Sequence, residues 1–510
     1  MQPLLIIVLL LAFWPPLDPP PVLDIPWTLG YMLLGLVLCR VLAELPALYL
    51  TLQLRLQPGR RWRWLWIYFR WRQIHLGVLT GLYIYALLGL HWATFIRREA
   101  GMSADLILMD EFFILLPFLL GLLLSWDSFY RVERALHQTE GIPSGRHFWR
   151  RPAYLAYQIR QHLGLVMVPL TLFLGLQETA HWFWPNLMAQ TIPQVSITLA
   201  IGMIVLVAMP WLLTKIFHTT SLPDGPLRER LTAAADRLRF PFSDIRMWHT
   251  RAGVANAMVT GFLRRPRYVL LSDLLLEELE PDEIEAVFCH EIGHLHHRHI
   301  GLYLVFMGLS INVLTQLLHL GLRWFPSEVT QVLTGWPAVQ PHTPSWSVWL
   351  FLGGALALVG GYIRLVFGAL SRSCERQADV YSCKNLALES LPSVLTIPTE
   401  PPEDNGHVSK LKPLPIPAPA VAAGLPLGVP IFIAALEKVA NLNGIPYGKP
   451  SWRHGSIARR VTFLRALAMH PELEPRQQRR WFLSKGVLLL LLAGATTLLW
   501  WLGANPLLLW

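Results

Sequence analysis

Eight stretches of this chain are each long and apolar enough to cross a bilayer, and they constrain the fold more than any other feature. They are Trp27–Leu50, Ile74–Ile96, Leu106–Trp126, Leu163–Trp184, Val195–Phe217, Gly301–Trp324, Trp346–Leu370 and Gly486–Gly503. A helix of about 20 mostly apolar residues spans the roughly 30 Å hydrocarbon layer. Only 15% of the 510 residues are charged and 53% are hydrophobic, where a soluble domain carries about 25% charged residues. That balance excludes intrinsic disorder and a purely soluble enzyme. A shorter run, Pro3–Trp14, lacks a basic flank and precedes Pro15-Pro16. It reads as an uncleaved segment, with a ninth span, a re-entrant piece or a signal sequence as the alternatives.

The basic residues orient the spans. Lys and Arg number 43 against 33 Asp and Glu, a net charge of +10. In a membrane chain such an excess gathers in cytoplasmic loops. Arg55, Arg60, Arg61, Arg63, Arg70 and Arg72 follow the first span, and Arg131, Arg134, Arg146, Arg150, Arg151 and Arg160 follow the third. Pro185–Gln194 and Phe325–Ser345 carry no Lys or Arg. Alternation then places Lys215–His299 and Ser371–Lys485 inside, where Arg453–Lys485 adds eight basic residues. Trp62, Trp64, Trp66 and Trp71 among the arginines fit an interfacial aromatic belt better than a nucleic-acid surface, so no nucleic-acid partner is expected. Arg40 and Glu44 read as an i, i+4 pair near an interface. Cys39, Cys289, Cys374 and Cys383 have no paired spacing and are expected to be reduced, apolar thiols.

Between the spans the sequence turns polar. Leu222–His299 reads as mixed α/β, with a helical pattern over Leu227–Arg239 and a strand near Arg267–Leu271. Pro281-Asp282-Glu283 opens a helix, Pro suiting its first turn and the acids its positive end. Leu391–Pro430 holds ten prolines and reads as an inserted surface loop or linker, with helical spacing resuming at Ile431–Leu442.

The helix opened by Pro281 contains His290, Glu291 and His294. Residues four apart share a helical face, so both imidazoles reach one ion and Glu291 reaches a water on it. This is H-E-x-x-H, in which the histidines bind zinc and the Glu is general base. The bland alternative is a polar helix of solvated histidines. A catalytic zinc needs a third protein ligand. Glu375 in Ser371-Arg372-Ser373-Cys374-Glu375-Arg376-Gln377-Ala378-Asp379 offers one, with Asp379 on the same face to hold the far nitrogen of a ligating His. The alternative there is a charged helix start beside the membrane. His296, His297 and His299 are expected to face water or lipid headgroups, without a ligand role.

H-E-x-G-H-x-x-x-x-H from His290 to His299, followed by S-R-x-x-E-x-x-A-D from Ser371 to Asp379, resembles the integral-membrane zinc endopeptidases that include the CAAX prenyl protease and the heat-shock protease HtpX. The resemblance covers roughly Leu222–Leu467. It implies one Zn2+ per chain on His290, His294 and Glu375, with Glu291 as base. Ala255-Asn256-Ala257 resembles the family's Asn-Ala segment, implying that Asn256 and Ala257 lie where an edge strand holds substrate. Arg453-His454-Gly455 to Arg460-Val461 is similar to the family's His-Pro…Arg-Ile pattern, implying that His454 donates to the oxyanion and Arg460 supports the site. Gly455 departs from the usual Pro.

The expected fold is a mainly α polytopic membrane protein with a small α+β zincin-like cytoplasmic metalloprotease domain. Its parts would be an N-terminal multi-span region (1–217), the first part of the protease domain (218–300), a transmembrane hairpin (301–370), the second part with the Pro-rich insert 391–430 (371–480), and a final span (486–503). The expected activity is endoproteolysis of membrane-associated or misfolded proteins, with the lipid bilayer as partner and a bacterial inner membrane as location. The alternative is a catalytically inactive zinc-binding membrane sensor or scaffold, to which an intact Glu291 is superfluous. A protease with its motif buried inside a span fits less well, because Asp282, Glu283, Glu285, His296, His297 and Arg298 make the helix too polar for lipid. A transporter reading fails for want of a relay among Arg40, Glu44, Glu178 and Arg364.

Overall fold

A computed structural model gives the fold and describes residues 8, 24–99, 107–138, 148–251, 253–261, 263–322, 346–386, 396–398, 413–415 and 425–502. The chain forms two compact units, Met1–Ala208 with Trp324–Leu352 and Met209–Arg323 with Gly353–Trp510. Apart from Val8, the short run Pro3–Trp14 lies outside the described residues.

The first unit is helical: α1 (Ile25–Leu56), α2 (Arg61–Leu88), α3 (Met109–Gln138), α4 (Arg151–Phe183) and most of α5 (Thr191–Ile216). Its core is built on Trp126, Phe129 and Tyr68, all essentially sealed from solvent. Arg40 bonds Glu44 at 3.0 Å, as expected, and also Asp127 at 2.8 Å. The aromatic belt is only partly so: Trp66 is exposed, but Trp64 is buried and meets Tyr49 edge-on.

Among the described residues seven helices are long and apolar enough to cross a membrane. They correspond to seven of the eight expected spans. The exception is Ile74–Ile96. Its helix, α2, begins at Arg61 and stops at Leu88, and His91 takes a left-handed φ of 52° before the chain turns helical again at Trp92–Thr94. The apolar run is therefore divided by a turn, and the first half of α2 carries arginines instead of extending the apolar stretch.

The second unit holds a four-stranded mixed sheet of β1 (Thr219–Ser221), β2 (Asp244–Trp248), β3 (Ala257–Thr260) and β4 (Tyr268–Ser272), in the order β1-β2-β4-β3. β4 runs parallel to β2 and antiparallel to β3, leaving β3 at one edge. The expected strand near Arg267–Leu271 is β4. Around the sheet lie α6 (Pro226–Arg237), α7 (Asp273–Glu278) and α8 (Pro281–His296), which share a core of Leu231, Ile245, Val269, Leu275, Phe288 and Ile292.

α8 starts where its sequence says it should. Pro281 occupies the first turn, and Glu280 and Glu283 form a reciprocal capping box that satisfies free backbone donors. Glu285 is fully buried and accepts from Arg230 at 2.6 Å and Arg237 at 2.8 Å, which fixes α8 to α6. α9 (His299–Leu322) leads away into a helical layer, and α10 (Trp346–Tyr362) returns through a π-helical turn into α11 (Gly368–Asn385). α12 (Leu425–Leu442), α13 (Ile457–Met469) and α14 (Leu473–Trp501) complete the unit. Within the Pro-rich segment, Thr396–Pro398 and Pro413–Pro415 pair as a short antiparallel ladder, so these residues are not the plain loop expected. All four cysteines are buried and free.

α8 and α11 lie unusually close. A Cβ at Gly293 would sit 3.1 Å from both Ala378 Cα and Tyr381 Cβ. The Ser382 hydroxyl donates to the Ala286 carbonyl across the same contact at 2.6 Å. Gly293→Val should therefore separate the helices and cost about 1–3 kcal/mol, as overpacking does. Thermal unfolding of the purified variant in detergent should show the lowered midpoint.

Candidate metal centre

Three donors converge where α8 meets α11. His290 Nε2 and His294 Nε2 are 3.3 Å apart, one helical turn separating their residues. Glu375 reaches both from α11, Oε2 at 3.7 Å from His290 Nε2 and Oε1 at 3.7 Å from His294 Nε2. Zinc bonds of about 2.0–2.2 Å in a tetrahedral arrangement put ligand atoms about 3.4 Å apart, so this triangle has the size and the donor types that a zinc ion takes. The same three residues form the one group of potential metal-binding side chains found among the described residues.

The surroundings hold each donor. His290 Nδ1 lies 3.0 Å from Asp379 Oδ1, and its ring stacks on Phe432 at 5.5 Å. Burial opposes a charge on His290, but the adjacent Asp379 outweighs it and raises the ring's proton affinity. His294 lacks such a carboxylate, and burial pushes it down to about 3. Asp379 is fully buried, and Arg460 donates to it twice, from Nε at 2.9 Å and from Nη2 at 2.5 Å. Arg460 Nη1 stands 3.7 Å from Glu375 as well. One guanidinium therefore serves both acids of α11, and the buried charges compensate each other.

Glu291 faces the edge strand. The Val259 backbone amide of β3 favours the ionised form of its carboxylate. Burial lifts the Glu291 carboxyl to about 7 and the Glu375 anion adds to the rise, while His290 and the Val259 amide oppose it. A carboxyl poised near neutrality suits a group that takes and returns a proton.

The structure brings His290, Glu291, His294, Glu375, Asp379, His454 and Arg460 together. His454 is half exposed, with Nδ1 at 3.0 Å from Glu375 Oε1. The departure at Gly455 has a backbone reason. Gly455 has φ of 77°, which a proline ring cannot adopt, and it closes a bridge with Ser451 that presents His454. Asn256 precedes the edge strand β3 and Ala257 opens it. They stand at the entry of β3, Asn256 bonding Ser272 and Ala257 buried, and it is Val259, two residues on, whose amide meets Glu291.

His299 departs most from expectation. It is buried, not turned to water, and its Nδ1 lies 3.0 Å from His294 Nδ1. Arg298 takes a left-handed φ of 54° between α8 and α9, which folds His299 back beneath α8. Helical spacing cannot reveal a contact made across such a break. The partners of His299, Gln377 and Lys485, also went unmarked in the sequence.

Residues 221–394 match Peptidase family M48. That segment holds both motifs on which the resemblance to the membrane endopeptidases rests. The CAAX prenyl protease 1 homolog of Arabidopsis thaliana is 35% identical over 97 residues, 18% of this chain and 23% of that protein. The Protease HtpX homolog of Aeropyrum pernix is 26% identical over 223 residues, 43% of this chain and 63% of that protein. These matches span from 23% to 63% of the length of the curated relatives. A crystal structure of S. mikatae Ste24p aligns with 87% of this chain and 100% of that one, at 17% identity and a TM-score of 0.45.

Removing the acid behind His290 should loosen the candidate metal centre. Asp379→Asn is expected to weaken zinc binding about 10–100-fold, the usual cost of losing a group that orients a metal-ligating His. Competition against a chromophoric chelator measures it.

Proposed function

We propose that this protein is a membrane-embedded zinc-dependent endopeptidase. The observation that carries this reading is the placement of Glu291 between the His290–His294–Glu375 triad and the edge strand β3. A sensor or scaffold would need the triad alone. When bound, zinc would lower the pKa of a water towards about 7 and polarise the peptide carbonyl. Glu291 takes the proton of the attacking water and delivers it to the leaving amide nitrogen. His454, half exposed at the rim, donates to the oxyanion, a contribution such donors make only as charge develops. Arg460 keeps Glu375 and Asp379 ionised and in place.

The substrate enters as an extended segment added to the outer edge of β3, whose terminal place in the sheet leaves that side open to pairing. Asn256 and Ala257 lie along its entry. The basic loops place this domain on the cytoplasmic face, and a bacterial inner membrane suits a short-looped chain of this kind. Membrane-associated or misfolded proteins are the substrates such a site meets there.

The test separates chemistry from metal binding. Glu291→Gln should keep one zinc per chain yet lose at least about 100-fold of the cleavage of a casein-type substrate, the least that general-base catalysis contributes. Chelation should abolish cleavage by the wild-type protein, and added zinc should restore it. Wild-type rates in the Glu291→Gln protein would reject Glu291 as the base.

A further inference from the structure

Beneath His294 the polar groups form a single file. His294 Nδ1 meets His299 Nδ1 at 3.0 Å, and His299 Nε2 meets Gln377 Oε1 at 3.1 Å. Lys485 Nζ donates to the same Gln377 oxygen. The Gln377 amide nitrogen donates to Gln478 Oε1 at 3.2 Å. His299 is 1% exposed and Gln377 6%, so the file is buried.

An ammonium has only donors, which gives the file a direction. Lys485 obliges Gln377 to present its oxygen. The second donor to that oxygen is His299, so His299 Nε2 bears a hydrogen. A neutral imidazole has one N–H, and in His299 the bond to Gln377 places it on Nε2. His299 Nδ1 is therefore an acceptor, and His294 Nδ1 is the donor to it. The lone pair of His294 is left on Nε2, the atom that faces His290 and Glu375.

We propose that Lys485, acting through Gln377 and His299, selects the tautomer of His294 that can bind metal. Lys485, Gln377 and His299 are positioning residues, since none of them touches the triad's metal-facing atoms. The proposal rests on the reading of His290, His294 and Glu375 as a zinc site. It goes beyond it by making a ligand's competence depend on α14, the C-terminal candidate span that carries Lys485.

The test measures zinc affinity of the full-length protein in detergent by competition with a chromophoric chelator, together with thermal unfolding of the zinc-stripped protein. Lys485→Arg and Gln377→Glu preserve the direction of the file, because one still only donates and the other still accepts. Both should bind zinc within about threefold of wild type. Lys485→Glu reverses the file: the new acid accepts from the Gln377 amide, His299 Nε2 becomes the acceptor, and His294 Nε2 acquires the hydrogen. Its zinc affinity should fall about 10–100-fold, the range for lost support of a metal ligand, with zinc-stripped unfolding close to that of Lys485→Arg. Gln377→Leu should fall likewise. Equal affinity in Lys485→Glu and Lys485→Arg overturns the proposal. Should Lys485→Glu not fold, equal affinity in Gln377→Glu and Gln377→Leu overturns it in the same way. A wild-type protein that holds no zinc rejects the metal centre itself and the file with it, whereas a wild type that binds zinc alongside indifferent variants rejects the file alone.

Discussion

The approach of α8 to α11 is the constraint on which the candidate site depends. His290 and His294 come from one helix and Glu375 from the other, with α9 and α10 between them in the chain. The donor triangle, with sides of 3.3 to 3.7 Å, closes only if the two helix backbones nearly touch. Gly293 makes that possible by carrying no side chain toward Ala378 and Tyr381. The buried Glu285, clamped by Arg230 and Arg237, holds α8 from the opposite side. Packing and chemistry thus meet on one helix, whose two faces carry separate duties.

Charge explains why the neighbours of the triad are what they are. Glu291, Glu375 and Asp379 set three carboxyl groups around one guanidinium, Arg460, in a place poorly reached by water. Burying unpaired acids costs several kcal/mol each. Arg460 compensates Asp379 through a two-pronged contact that fits its planar fork, which a lysine could not reproduce. A divalent cation, if held by His290, His294 and Glu375, would offset the remaining negative charge. The same arithmetic accounts for Glu291, the acid farthest from Arg460's direct bonds, being the one lifted to about 7.

What could be read from the sequence follows the range of each interaction. His290, Glu291 and His294 lie within five residues on one helix, so spacing alone placed them on a common face. Glu375 and Asp379 repeated that spacing, and their order after the first motif supplied the partner. Glycine at 455 was visible as a departure, but only its positive φ explains how His454 is presented. Ile74–Ile96 is not one continuous helix, and hydropathy does not register the turn at His91 that divides it. His299 was misjudged for a similar reason: a single left-handed residue, Arg298, ends the helical periodicity on which the reading relied. Gln377 and Lys485 are polar residues without a motif, and nothing short of the tertiary fold brings them under His294.

Glu291 and β3 cannot be treated as separate parts. The amide of Val259, on the edge strand, acts on the Glu291 carboxylate. A hydrogen bond to the ionised acid favours that form, so the strand itself opposes the rise that burial imposes. Under the proposed reading, a peptide laid along β3 would be registered against Glu291. This coupling belongs to the edge position of β3: in a central strand the same amide would be taken by a neighbour in the sheet.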